Sequence, residues 1–132
     1  MTGSRVTVVI DVPRGSFVKR GDDGSVDFIY PLPCPFNYGH IPGTVAEDGD
    51  ADDAVVLGKR LPQGSRTESI PRARIHFVDA GKNDFKWICA SAPLSRLDRL
   101  QVASFFRVYA AAKRAINRIR GKRGVTRYLG WL

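Results

Sequence analysis

Leu97-Asp-Arg-Leu-Gln-Val-Ala-Ser-Phe-Phe-Arg-Val-Tyr-Ala-Ala-Ala-Lys-Arg-Ala-Ile-Asn-Arg-Ile-Arg-Gly121 is the stretch on which the fold turns. Val102, Phe105, Phe106, Tyr109, Ala112, Ile116 and Ile119 recur every three or four residues, while Arg107, Arg114 and Arg118 fall on the other side. That spacing predicts an amphipathic helix of about 20 residues, ended near Gly121. Upstream the pattern is different. Val6 to Val12 is rich in β-branched residues and closed by Pro13 and Gly15, and so reads as a strand. Asp27 to Tyr30, Val55 to Leu57, Arg72 to Phe77 and Lys86 to Ala90 complete five short strands, separated by Gly- and Asp-containing turns. Pro31, Pro33, Pro35 and Pro42 exclude helix between Pro31 and Gly43. Strands first and one long helix last is an α+β, mainly β arrangement, and the strand set suits a small closed or nearly closed barrel.

The chain of 132 residues has room for a single core. We expect one domain over residues 1–132, a barrel over about 5–92 and a helix with a basic tail over about 95–132. The longest apolar run, Val108 to Ala112, is far short of the roughly 20 residues of a membrane span. Asp11 interrupts the opening apolar run before a signal peptide could form, so the expected compartment is the cytoplasm. Cys34 and Cys89 lie far apart without metal-ligand spacing and read as small core residues. His40 and His76 read as structural, and Phe77 and Trp87 as core.

Charge divides the chain in two. Residues 1–92 hold 11 Lys and Arg against 12 Asp and Glu, whereas residues 93–132 hold 10 against one, Asp98. Five carboxylates crowd the seven residues Glu47 to Asp53. Like charges so close repel unless a cation or a basic surface neutralises them. Such a cluster is compatible with a solvated acidic turn. An EF-hand loop fails, since its sixth position is Asp53 rather than Gly and its twelfth is Lys59 rather than Glu. A magnesium site fits the third way of reading it, because hard divalent cations take carboxylate oxygens together with water and phosphate. Asp79-Ala-Gly-Lys-Asn-Asp84-Phe-Lys86 supplies a second acidic loop between two strands. Two such loops at one barrel mouth would suit metal-assisted phosphoryl hydrolysis.

Ile10-Asp-Val-Pro13 with Lys19, Asn37-Tyr-Gly-His-Ile-Pro-Gly-Thr44, Ala46-Glu-Asp-Gly-Asp-Ala-Asp-Asp53, and Asp79 with Asp84 and Lys86 together resemble the family I soluble inorganic pyrophosphatases. Phe105-Phe-Arg-Val-Tyr109 is similar to that family's phenylalanine pair and tyrosine on the C-terminal helix. The resemblance runs, with gaps, from residue 6 to about 110. It implies an OB-like five-stranded barrel with a long C-terminal helix, and hydrolysis of inorganic diphosphate to two phosphates with Mg²⁺, Mn²⁺ or another divalent ion. Residue by residue, it implies that Asp48, Asp53, Asp79, Asp84 and Asp11 hold metal. Asp50 becomes the general base, and Lys19, Tyr38, Lys86 and Tyr109 become phosphate contacts. A homo-oligomer is implied too, although Ser104 and Val108 stand where family members carry interface histidines.

The chain departs from the family pattern at Gly21, where a glutamate is usual, at Phe28, where an arginine is, and at Ala110, where a lysine is. Lys113 lies one helical turn beyond Tyr109 on the same face, so we expect it to supply the cation lost at Ala110. Arg20 is a second candidate. Arg114, Arg118, Arg120, Lys122, Arg123 and Arg127, followed by Tyr128 and Trp131, read either as a solvated face with a docking tail or as a nucleic-acid surface. Two alternatives to diphosphate hydrolysis stay open at this point: a non-catalytic nucleic-acid module, and a phosphohydrolase for another phosphoanhydride.

Overall fold

The computed structural model describes residues 4–20, 25–29, 33–47 and 49–132, together with the backbone but not the side chains of Lys19, Arg20, Asp27 and Phe28. Asp48 and Gly21 lie outside the described residues. Among the described residues, ten strands precede or follow one helix: β1 (Val6–Val12), β2 (Val18–Arg20), β3 (Val26–Ile29), β4 (Asn37–Ile41), β5 (Asp52–Val56), β6 (Arg66–Ser69), β7 (Pro71–Asp79), β8 (Lys82–Asn83), β9 (Lys86–Cys89), α1 (Arg96–Ile119) and β10 (Arg127–Trp131). The main sheet runs β10-β7-β9-β5-β4-β1-β6 with β8 attached to β7, and β2 and β3 form a separate hairpin. All five expected strands are present, β5 starting three residues before the expected Val55, but the one expected from Asp27 lies in the separate hairpin and its expected end, Tyr30, is outside the described residues. This is the mainly β, OB-like arrangement with a C-terminal helix.

Alternation along β1 buries Val8, Ile10 and Val12, and leaves Asp11 on the opposite side until a bulge between Ile10 and Val12 shifts the register. Gly39 on β4 crosses β1 so closely that a Cβ there would stand 2.0 Å from the Val9 carbonyl oxygen. Only glycine permits that approach.

The helix begins with a capping box: Ser95 accepts from the Asp98 N–H, and Asp98 accepts from the Ser95 N–H. Its apolar face lays Val102, Phe105, Phe106 and Tyr109 over the sheet, where they pack with Phe36, Phe77, Ile75 and Ile88. Phe36, Phe77 and Phe106 are fully buried, and cores of this kind lose about 3–5 kcal/mol on Phe→Ala truncation. Two expectations need correction here. Ile119 is 85% exposed, because the buried face of the helix ends two residues earlier, at Asn117. Trp87 is only half-buried and lies beneath the Arg74 guanidinium, 5.0 Å from the ring centre. Cys34 and Cys89 are buried free thiols, and burial pushes both up to about 12.

The end of the basic tail, Arg127–Trp131, is a strand. β10 pairs antiparallel with β7, Tyr128 opposite Phe77, and Tyr128 stacks on Phe106. Among the described residues no helix is long and apolar enough to cross a membrane.

Candidate active site

Strand register builds one pole of the site. His40 on β4 stands opposite Asp53 on β5, and Asp53 stands opposite Lys86 on β9. The neighbouring β1 carries Asp11, whose carboxylate meets His40 Nδ1 at 2.8 Å. A polar row therefore crosses four adjacent strands. Tyr38 is two residues before His40 on the same face, so its hydroxyl reaches Asp53 Oδ2 at 2.9 Å.

Lys86 is the centre of this pole. Its side chain is 1% exposed, yet Nζ donates to Tyr38 Oη at 2.5 Å, Asp53 Oδ2 at 2.9 Å and Asp84 Oδ2 at 3.1 Å. All three donor positions of the ammonium are used. The rings of Tyr38, Phe77 and Phe106 stand 5.2, 5.5 and 5.9 Å from it. Burial opposes the charge, but Asp53 and Asp84 outweigh burial and hold the ammonium above its ordinary value. Burial likewise raises Asp84; Lys86 pulls it down, the adjacent Asp53 carboxylate pushes it up, and the net direction is up. Tyr109 is buried beside them, and its phenol is pushed up by burial in spite of Lys86.

The second pole is the far end of the same loop. Asp79 ends β7, and a turn through Ala80 and Gly81 leads to β8. Asp79 Oδ1 accepts from Asn117 Nδ2 at 2.8 Å, and Oδ2 lies 3.6 Å from Lys113 Nζ. Burial works to raise this carboxyl, but Asn117, Lys113, Lys122 and Lys86 together hold it below the usual range. Asp79 and Asp84 border one cavity of about 410 Å³, rimmed by Lys82, Lys122 and Arg123.

The acidic turn comes near this loop through Glu47, which accepts from Asn83 Nδ2 at 3.2 Å. Asn83 is also joined to His76 Nε2 at 2.8 Å. Asp50 is exposed on that turn, which the Ala46 N–H to Asp50 carbonyl bond closes at 2.6 Å. Asp52 is half-buried at the head of β5, its N–H bonded to Thr44 Oγ1. Lys19 is opposite Phe28 in the β2–β3 hairpin.

The fold thus gathers Asp53, Asp84, Tyr38, Lys86 and Tyr109 around one ammonium, with Asp79 and Lys113 at the other end of the loop. Asp11 is turned to His40. Among the described residues no three acidic, histidine or cysteine side chains form a ready set of metal ligands. The donor chemistry nevertheless fits a hard divalent ion: the carboxylates are all oxygen donors, and the mutual repulsion of Asp53 and Asp84 is what a second cation would relieve. Sequence reasoning missed Asn117 and Thr126. A polar residue inside an apolar helical stripe was the available signal for the first; nothing local marked the second.

A family model described as inorganic pyrophosphatase matches residues 8–126. The chain is 39% identical over 103 residues to an inorganic pyrophosphatase of Aeropyrum pernix, covering 72% of this chain and 57% of that protein. It is 36% identical over 101 residues to one from Saccharolobus solfataricus, covering 70% and 58%. The chain therefore spans little more than half the length of these curated relatives. Among solved structures, an inorganic pyrophosphatase from Thermus thermophilus superposes with a TM-score of 0.74 at 31% identity, covering 98% of this chain and 82% of that one. With a match over nearly its whole length, the chain belongs to the inorganic pyrophosphatase family.

Proposed function

We propose that this chain hydrolyses inorganic diphosphate to two phosphates with the aid of a divalent cation, Mg²⁺ first and Mn²⁺ as a substitute. The observation that carries this reading is the buried Lys86 ammonium clasped by Asp53, Asp84 and Tyr38 at the mouth of the barrel. A fully desolvated cation bordered by carboxylates costs stability, and such groups cluster at functional sites.

Asp48, Asp53, Asp79, Asp84 and Asp11 would hold the cations. When bound, these supply neutralisation of phosphate charge and a more acidic water. Asp50, on its exposed turn, takes the proton of the attacking water as the new P–O bond forms. The bond from that phosphorus to the bridging oxygen breaks, and the second phosphate leaves with the electron pair. As Asp53 and Asp84 turn to the cations, Lys86 is released from them to join Tyr38, Tyr109, Lys19 and Lys113 in binding the phosphoryl oxygens and stabilising the charge that builds on them. Lys113 is our candidate for the gap left by Ala110, a core residue 2% exposed, because its ammonium stands 3.6 Å from Asp79, which borders the cavity.

The nucleic-acid reading is less well supported. Tyr128 and Trp131 belong to β10, with Arg107 5.8 Å over one ring and Arg99 4.9 Å over the other, so those faces are not open to bases.

Phosphate release from diphosphate, measured with and without Mg²⁺, tests the proposal. Asp50→Asn is expected to lower the rate by about 10²–10⁴, the usual contribution of a general base. Release that is absent from the parent chain, or untouched by the substitution, sinks it. Salt-sensitive binding to single strands without phosphate release would favour the nucleic-acid module.

A further inference from the structure

The segment after the helix does more than close the sheet. Thr126 is 3% exposed and Asn117 4% exposed, two buried polar side chains beside a cavity whose lining also includes Arg114, Lys122 and Arg127. The Thr126 hydroxyl accepts from the Ala80 N–H at 3.0 Å and from Asn117 Nδ2 at 3.0 Å. Its own proton is left to face Asp79 Oδ1, 3.5 Å away. Asn117 Nδ2 bonds that same Asp79 oxygen at 2.8 Å. A reversed amide would set Asn117 Oδ1 against a carboxylate, so the charge of Asp79 fixes its orientation. The consequence is a buried Asn117 Oδ1 with no hydrogen-bond partner, a cost that a leucine in the apolar stripe would avoid.

The same segment holds the turn beneath Asp79. Ala80 adopts a left-handed φ of 50°, which costs a side chain of its kind of order 1 kcal/mol. Gly81 N–H donates to the Val125 carbonyl at 2.8 Å. At Gly124 a Cβ would stand 2.6 Å from the Ala80 carbonyl carbon, so the two backbones are in direct contact.

We infer that Asn117 and Thr126 are positioning residues: they occupy Asp79 Oδ1 and leave Oδ2 alone to face Lys113 and the cavity. This rests on Asp79 being a site carboxylate, as proposed above. It makes the C-terminal segment a working part of the site, where a docking tail would only cover the sheet.

Thr126→Val keeps the shape and removes the hydroxyl; Thr126→Ser restores it. Groups that orient a ligating side chain typically control 10–100-fold in metal affinity or activity. Titration of the whole chain with Mn²⁺ alone is therefore expected to show a loss of ~10-fold or more for Thr126→Val, with kcat falling in parallel, and recovery to within ~3-fold for Thr126→Ser. Arg114→Ala removes the guanidinium bond to the Thr126 carbonyl without touching Asp79, and is expected to leave Mn²⁺ affinity unchanged. Unaltered affinity in Thr126→Val, equal losses in Thr126→Val and Thr126→Ser, or a loss in Arg114→Ala equal to that in Thr126→Val would overturn the inference. Should the parent chain bind no Mn²⁺ and release no phosphate, the functional reading fails by itself. The Ala80 amide then decides the positioning claim: its exchange protection must fall in Thr126→Val and return in Thr126→Ser.

Discussion

The two ends of the Asp79–Asp84 loop carry the same kind of residue in opposite circumstances. Asp84, at the inner pole, shares the buried Lys86 with Asp53 and Tyr38, and the last three are placed by strand register. Asp79, at the outer pole and equally exposed, is held by the helix and the segment after it, through Asn117 and Lys113. At the inner pole burial, aided by the neighbouring Asp53 carboxylate, outweighs the one ammonium, so Asp84 is pushed up. At the outer pole several donors and cations address one carboxylate, so Asp79 is pulled down. Stability is concentrated at the first and adjustability at the second.

Removing Lys86 should break this contrast most severely. Lys86→Met leaves Asp53 and Asp84 facing each other at the edge of the core, and stranding buried charge in this way costs about 3–5 kcal/mol. Urea unfolding would read that loss, and a cost under ~1 kcal/mol would show that the inner pole is not structural. Lys113→Met is expected to do the reverse. Its side chain is 13% exposed and makes a 3.6 Å ion pair with Asp79, a contact whose loss costs about 1 kcal/mol at most. Turnover of diphosphate should nevertheless fall by ~10² if Lys113 meets a developing phosphate charge. Unchanged KM and kcat would remove Lys113 from the site and leave Arg20 as the remaining candidate for the cation missing at Ala110.

The sequence reading singles out the inner pole and, at the outer one, Asp79 and Lys113, but it misses Asn117 and Thr126. The reason is the range of the interactions. Val6–Val12, Val55–Val56 and the Lys86 strand announce themselves by β-branched runs, and the helix by its spacing, because local burial imposes both periods. Asp53, Asp84 and Lys86 then fall beside one another once those strands pair. β4 was hidden by its flanking prolines. β6 (Arg66–Ser69) has little apolar character because it lies at a sheet edge, and β10 sits inside a basic run whose pairing with β7 is a contact between distant parts of the chain. Lys113 could be placed on the Tyr109 face by helical geometry alone. Asn117 could be seen as a polar interruption, but its partners Asp79 and Thr126 are 38 and nine residues away. Nothing in the spacing of those three residues says that they meet.

The smallest predicted effect is also the sharpest test of the contrast, because the two aspartates should bend the stability curve in opposite senses. Asp79 has a folded value below the unfolded one, near 3.9. The unfolded chain then binds the proton more readily, so the stability Asp79 lends is complete above about pH 4 and is lost as pH falls through the folded value. Asp84 has a folded value above the unfolded one. There the folded chain binds the proton more readily, and stability falls as pH rises from about 4 to the raised value. Unfolding midpoints in urea, taken from pH 2.5 to 7 on metal-free protein, separate the two. Asp79→Asn should flatten the slope below pH 4, and Asp84→Asn should flatten the slope above it. Equal effects of the two substitutions would mean that both carboxylates share one environment, and that the loop has a single pole.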